Sequence, residues 1–208
     1  MEYYDPNTAA FRERLVEGGV LLPQGTHHEF AYGAHGQKVD FDTIADGSPL
    51  YEEWVDMNVR QLQQRLAEPP LAFAGVANGT NRLARDVGAR LGIMALETRK
   101  VSPSQVELLP DARAWLAAQT VTGLVVALED VGTTGGTALT ALRSAQAAGA
   151  VDIAAQFSWK RTGELGAFTS SRIPHWAIID EPLPTYTPTQ CREYGFCARG
   201  WKLVPHAS

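Results

Sequence analysis

Two adjacent carboxylates, Glu129 and Asp130, stand just ahead of Thr133, Thr134, Gly135, Gly136 and Thr137. Glycine-rich backbone can turn several N–H groups toward one anion, and threonine hydroxyls add donors, so this loop suits a phosphate monoester. Carboxylates repel phosphate. A pair of them beside a phosphate site suits instead the two vicinal hydroxyls of a ribose, and also attracts Mg²⁺. A Walker loop would need Gly-Lys-Ser/Thr, and no lysine follows Gly136. A dinucleotide fingerprint places its acid roughly 20 residues after the glycines, not before them.

The flanking pattern indicates what positions these groups. Val125, Val126, Ala127 and Leu128 form an apolar run too short for a buried helix and rich in β-branched types, which predicts a parallel strand covered on both faces. The acidic pair then falls at the strand's carboxyl end, where ligands bind in open α/β sheets. Thr137 is expected to cap a helix over 138–148 that stops at Gly149. The free N–H groups and dipole of its first turn favour an anion.

A second strand-to-helix loop, between an expected strand over 71–77 and a helix over 81–91, offers Ala77, Asn78, Gly79 and Thr80 to a pyrophosphate, with a plain capped turn as the alternative. Arg99 and Lys100 follow the next strand, 93–97, where cations neutralise a departing anion. Lys160 and Arg161 follow strand 153–159, where a planar guanidinium can meet a carboxylate or carbonyl of a base. Solvation is the competing reading for both basic pairs.

Strand 176–179 completes an alternation that predicts right-handed crossovers and a mostly parallel sheet, hence an α/β class. Ahead of it lie an N-terminal helix carrying Phe11, Leu15 and Val16, small antiparallel strands including 30–32 and 38–41, and a helix from Ser48-Pro49 to Leu66. Residues 98–121 read as irregular apart from a short helix over 111–118. The organisation expected is 1–68, 69–180 and a proline-rich, aromatic tail over 181–208.

A formal net charge of −5 argues against a nucleic-acid footprint. No apolar run approaches the roughly 18 residues of a membrane span, and the N-terminus lacks a signal-peptide layout, so a cytoplasmic protein without a membrane partner is expected. His27, His28 and His35 cluster near one end, while Cys191 and Cys197 lie near the other with five residues between them. Neither group completes a zinc set by itself, so no metal held by the protein alone is expected. A reducing compartment argues against a disulfide. The tryptophans and Phe11 are expected in the core.

All thirteen positions of 125–137 fit the phosphoribosyl pyrophosphate (PRPP) motif that this stretch resembles, that of the type I phosphoribosyltransferases: four hydrophobic residues, two acids, then a Thr/Gly-rich loop. The order of segments is further similar to orotate phosphoribosyltransferase, particularly the branch with a closely spaced cysteine pair in its tail. The pieces carrying that likeness are 30–42, similar to the family's hood strands; Gly75-Val76-Ala77-Asn78-Gly79, similar to its Gly-Pro-Ala-x-Gly loop; and the tail from Pro182 through Cys191 and Cys197 to Gly200.

The resemblance implies a type I fold, Rossmann-like, with a small hood built from the N- and C-terminal segments. It also implies a homodimer and Mg²⁺-dependent transfer of phosphoribose from PRPP to a nucleobase, foremost orotate, giving orotidine 5′-monophosphate and pyrophosphate. By position, Glu129 and Asp130 would bind the ribose hydroxyls, and Thr133, Thr134, Gly135, Gly136 and Thr137 the 5′-phosphate. Ala77, Asn78, Gly79 and Thr80 would line the pyrophosphate. Arg99 and Lys100 would act in catalysis with Asp130, Arg161 and Lys38 would contact the base, and Mg²⁺ would be held mainly by PRPP with Glu129 and Asp130 nearby. Three features depart from the family: 101–112 holds no lysine or arginine where its flexible loop carries cations, the cysteines are further apart, and the hood's base-contacting lysine has only Lys38 as a candidate counterpart. The alternatives are a non-catalytic PRPP- or nucleotide-binding regulator and a transferase for a different base.

Overall fold

The structure is a computed structural model that describes residues 6–21, 25–30, 33–102, 104–120 and 123–205. The chain divides into two units, Met1–Tyr51 with Pro182–Ser208, and Glu52–Glu181. In the first, α1 (Pro6–Glu17) buries Phe11 and Leu15 completely while leaving Val16 exposed. Strands β1 (Thr26–Glu29) and β2 (His35–Gly36) pair antiparallel, with His28 opposite Gly36 and Glu29 opposite His35. This corrects the expected strand positions. Ala31 and Tyr32 lie outside the described residues, and of 38–41 only Val39 bridges another segment, at Leu21, before a 3₁₀ turn over Phe41–Thr43.

Helix α2 (Pro49–Arg65) leads into the second unit. There the five strands expected of the alternation all form: β3 (Ala72–Gly75), β4 (Met94–Leu96), β7 (Leu124–Gly132), β8 (Asp152–Lys160) and β9 (His175–Asp180). They run parallel in the order β4-β3-β7-β8-β9. Val125, Val126, Ala127 and Leu128 are fully buried, as a strand covered on both faces requires. Helix α3 (Asn78–Leu91) follows β3, and α5 (Gly136–Ala147) follows β7. The α5 stripe Ala138, Ala141, Leu142 and Ala145 recurs every three to four residues and is fully buried.

A buried polar chain fixes α2 to the sheet. Trp54 Nε1 donates to Ser158 Oγ at 2.6 Å, Asn58 Nδ2 to Trp54 O at 2.8 Å, Gln156 Nε2 to Asn58 Oδ1 at 2.6 Å, and Trp176 Nε1 to Gln156 Oε1 at 2.7 Å. Each donor named here has its acceptor, which is the condition for a buried network to specify one packing.

Residues 98–108 depart from the irregular segment expected. They form an antiparallel hairpin, β5 (Thr98–Ser102) and β6 (Gln105–Leu108), ahead of α4 (Pro110–Ala117). Its outer edge is satisfied by α5: Thr140 Oγ1 accepts from Val106 N at 3.0 Å and Ser144 Oγ from Leu108 N at 3.1 Å. Two serine/threonine hydroxyls on a helix therefore stand in for a missing neighbour strand. Helix α6 (Gly166–Ser171) connects β8 to β9.

The tail folds. Strand β10 (Thr185–Tyr186), α7 (Pro188–Glu193) and β11 (Lys202–Val204) return to the first unit, completing a sheet of order β10-β2-β1-β11. Thr187 caps α7 in a reciprocal capping box with Gln190.

Candidate functional site

The strand order reverses direction between β3 and β7. From β3 the chain moves outward to β4, whereas from β7 it moves the other way to β8 and β9. The carboxyl ends of β3 and β7 thus flank a crevice of the kind in which open α/β sheets bind ligands. Both polar loops singled out in the sequence open onto it.

After β7 the helix starts at Gly136, so Thr137 is its second residue rather than its cap. The cap is Gly135, at φ 76°, ψ 4°, which has no side chain to offer, and the first helical N–H, that of Gly136, donates to Thr134 Oγ1 at 3.3 Å. A Cβ at this residue would stand 2.6 Å from Phe168 Cδ2, so geometry and space both call for glycine. The loop is braced from behind: Thr162 Oγ1 donates to Thr133 O at 2.8 Å and Ala167 N to Thr134 O at 3.3 Å. The N–H groups of Thr137 and Ala138 precede the first intrahelical bond, from Leu139 N to Gly135 O, which leaves the Thr137 region ready for an anion.

After β3 the corresponding helix also starts earlier than expected, at Asn78 rather than Asn81, and it too lacks a side-chain cap. Its cap, Ala77, has φ 64°, ψ −167°, a region that glycine alone adopts without strain. Thr98, absent from the sequence reading, holds it there. Its hydroxyl accepts from Ala77 N at 2.8 Å and donates to Gly75 O at 2.6 Å. Asn81 joins the same brace, accepting from Thr98 N at 3.0 Å and donating to Thr98 O at 2.8 Å. Gly75 permits this approach, since a Cβ there would come within 2.5 Å of Asn81 Cα.

The acids lie within β7, not beyond it. Glu129 is 9% exposed, and its Oε2 is buried with no hydrogen-bond partner among the described residues. Burial pushes its carboxyl well above the ordinary carboxylate range; the neighbouring Asp130 charge adds to the rise and Lys100 opposes it. Asp130 is more open, and its Oδ1 accepts from Val131 N at 2.8 Å. A buried acceptor left unbonded is costly unless a ligand supplies the donor.

No family model matches this sequence, and no curated relative does. Solved structures do match. Orotate phosphoribosyltransferase from Aeropyrum pernix superposes with a TM-score of 0.62 at 21% identity, over 81% of this chain and 93% of that one. Adenine phosphoribosyltransferase from Saccharomyces cerevisiae gives 0.61 at 16%, over 82% and 99%. UMP synthase from Leishmania donovani gives 0.65 at 12%, this chain covering 84% of itself and 36% of that longer protein. The chain has the type I phosphoribosyltransferase fold.

On that fold the remaining residues of the sequence reading separate. Solvation fails as an account of Lys160 and Arg161. Lys160 pairs with Asp180 at 2.5 Å, and Arg161 is 3% exposed, with its backbone N bonded to Gly132 O at 3.0 Å where β7 ends. Arg99 and Lys100 are exposed on β5. Thr80 is buried with its hydroxyl donated to Val76 O at 2.8 Å, so it can offer a ligand only its backbone N–H. Lys38, in the first unit, is ion-paired with Asp40. A cavity of about 600 Å³ between β6 and α5, lined by Gln105, Arg113, Thr140, Arg143 and Ser144 among others, contains none of the motif residues.

Proposed function

We propose that this protein binds PRPP at the crevice between β3 and β7 and transfers its phosphoribosyl group to a nucleobase. The observation that carries this reading is Glu129: a buried carboxyl with an oxygen unbonded among the described residues, at a switch point flanked by two helices whose cap residues, Ala77 and Gly135, supply no side-chain bond. A diol between two phosphate groups is the ligand whose donors and charges complement that pattern. Glu129 and Asp130 take the ribose hydroxyls, the Thr133–Thr137 turn of α5 takes the 5′-phosphate, and the first turn of α3 takes the pyrophosphate.

Hard carboxylate oxygens at Asp130 and Glu129 fit Mg²⁺ arriving with PRPP, and the ion would supply charge neutralisation on the departing pyrophosphate. Lys100, whose charge already reaches Glu129, adds to that neutralisation. Breaking the anomeric bond places positive charge on the ribosyl ring beside Asp130, and the base then attacks; no enzyme nucleophile is required. Orotate is the base proposed, because the buried guanidinium of Arg161 suits a carboxylated planar ring. A cytoplasmic homodimer is part of the same reading.

The test is depletion of orotate absorbance in the presence of Mg²⁺ and PRPP, with adenine and other bases as parallel substrates. Asp130→Asn is expected to weaken PRPP binding about 10- to 100-fold, the value of one hydrogen bond to a charged group. Unchanged affinity would remove Asp130 from the site.

A second reading, binding without turnover, rests on the hairpin. Arg99 and Lys100 are the only cations over 98–112, and α5 pins β6 in place. PRPP binding with no consumption of any base would favour it.

A further inference from the structure

The two histidines and two cysteines that the sequence separates meet in the first unit. His27 and His35 come from the β1–β2 hairpin. Glu29 faces His35, so by register His27 and His35 lie diagonally on one face, and their ring centroids are 5.3 Å apart. Cys191 sits in α7 and Cys197 in the turn after it. Parallel pairing of β1 with β11 and antiparallel pairing of β2 with β10 hold the tail against the hairpin. One ligand atom from each of the four side chains lies within 4.8 Å of all the others.

The spacings have the size of a metal polyhedron. With Zn–S about 2.3 Å and Zn–N about 2.05 Å at the tetrahedral angle, the S···N edge is about 3.6 Å. Here Cys191 Sγ is 3.6 Å and Cys197 Sγ 3.3 Å from His27 Nε2, and Cys197 Sγ is 3.6 Å from His35 Nδ1. His27 and Cys191 are fully buried, and His35 is 5% exposed. Both cysteines are free rather than joined in a disulfide. Cys197 N donates to Cys191 Sγ at 3.2 Å, the kind of outer bond that supports a thiolate ligand. Phe196 packs on His27 at 5.6 Å and stacks on Trp201 at 4.6 Å, walling the cluster with aromatic surface.

We propose that His27, His35, Cys191 and Cys197 hold a structural zinc ion. Four protein donors leave no open position, which is the mark of a structural rather than a catalytic site. Two thiolates cancel the charge of Zn²⁺, so the buried site is neutral overall. Two sulfurs and two imidazole nitrogens in a tetrahedral array select zinc over the oxygen-seeking Mg²⁺. The ion joins the N-terminal part of the unit to the C-terminal part, closing a loop of more than 150 residues; Cys191 and His27 are 164 apart. A small, discontinuous unit of this kind gains most from such a staple.

This inference is independent of the PRPP reading and is tested without activity. The full chain, purified without chelators, is assayed for metal by elemental analysis and, after removal of its metal, titrated with Co²⁺. One zinc per chain and the intense visible absorption of tetrahedral, thiolate-ligated cobalt are expected. Cys197→Ser should lose the stoichiometric metal, while His28→Ala, a neighbour outside the set, should keep it. Wild-type protein that contains no stoichiometric zinc and shows no cobalt absorption would overturn the proposal. So would a Cys191–Cys197 disulfide found by mass, or a Cys197→Ser protein that retains one zinc. The cobalt spectrum of the wild type decides the matter even if the serine variant fails to fold.

Discussion

Ala77→Gly is expected to stabilise this protein, against the usual direction of such a change. At φ 64°, ψ −167° an alanine is strained by about 1–3 kcal/mol, and glycine would release most of that. Against the release stand about 0.4–1 kcal/mol for the freer unfolded chain and at most about 0.8 kcal/mol for the methyl, which packs only partly buried against the core. Central values leave about 1 kcal/mol of net stabilisation, or about 2–4 °C in Tm for a chain of this size. Chemical denaturation followed by circular dichroism would measure it, with Ala89→Gly on the exposed face of α3 as the control expected to lose about 0.5–1 kcal/mol. If Ala77→Gly destabilises as much as the control, the backbone there is unstrained and the loop is an ordinary turn.

Thr98→Val keeps the shape but leaves Ala77 N and Gly75 O without their partner, so unfolding free energy should fall by about 2 kcal/mol and PRPP affinity should fall with it; calorimetry showing neither would refute the bracing role. Glu129→Gln tests the raised carboxyl. Its folded pKa lies above the unfolded value of about 4.3, so the folded state holds the extra proton. That stability is complete below the unfolded pKa and is lost as pH rises through the folded one. Wild-type stability should therefore decline relative to the glutamine variant as pH rises above the unfolded carboxyl pKa, and parallel pH profiles would remove Glu129 as the cause. PRPP at about 100 times its dissociation constant should add about 2.7 kcal/mol, raising Tm by about 5–11 °C. Pyrophosphate or ribose 5-phosphate alone, each meeting only part of the crevice, should do less in the same thermal-shift assay.

Features written in contiguous residues were legible without coordinates. The apolar run 125–128, the acids and the loop glycines sit side by side, so the strand, the loop at its carboxyl end and the following helix could be placed from pattern alone. What escaped were features made by distant residues. Thr98 braces a loop 21 residues away, and nothing in Glu97-Thr98-Arg99 marks a threonine for that task. The hairpin over 98–108 has little alternation of its own, because its edge bonds come from two hydroxyls of α5. The His/Cys cluster is the extreme case. Its spacings, seven residues between the histidines and five between the cysteines, fall outside usual zinc patterns, and only the pairing of the two chain ends brings the halves together.

The crevice is built from features that each weigh against the empty protein. Ala77 is held in a conformation it resists, two helices begin on cap residues that supply no side-chain bond, and Glu129 is buried with an unfilled oxygen. A chain with a net stability of the usual few kcal/mol keeps three such faults within one site only if something compensates them. One ligand with two anionic groups and a diol between them relieves the latter two directly and makes use of the first. Binding is thus the property these residues serve most plainly, and it rests on backbone and carboxylates. In the proposed reaction the leaving pyrophosphate is neutralised by different groups, the exposed Arg99 and Lys100 on a hairpin that carries no further cation. Affinity for PRPP and rate of transfer should therefore respond to different substitutions: Thr98→Val acts through affinity, Lys100→Ala acts through rate, and Asp130→Asn, beside the ribosyl centre, lowers both.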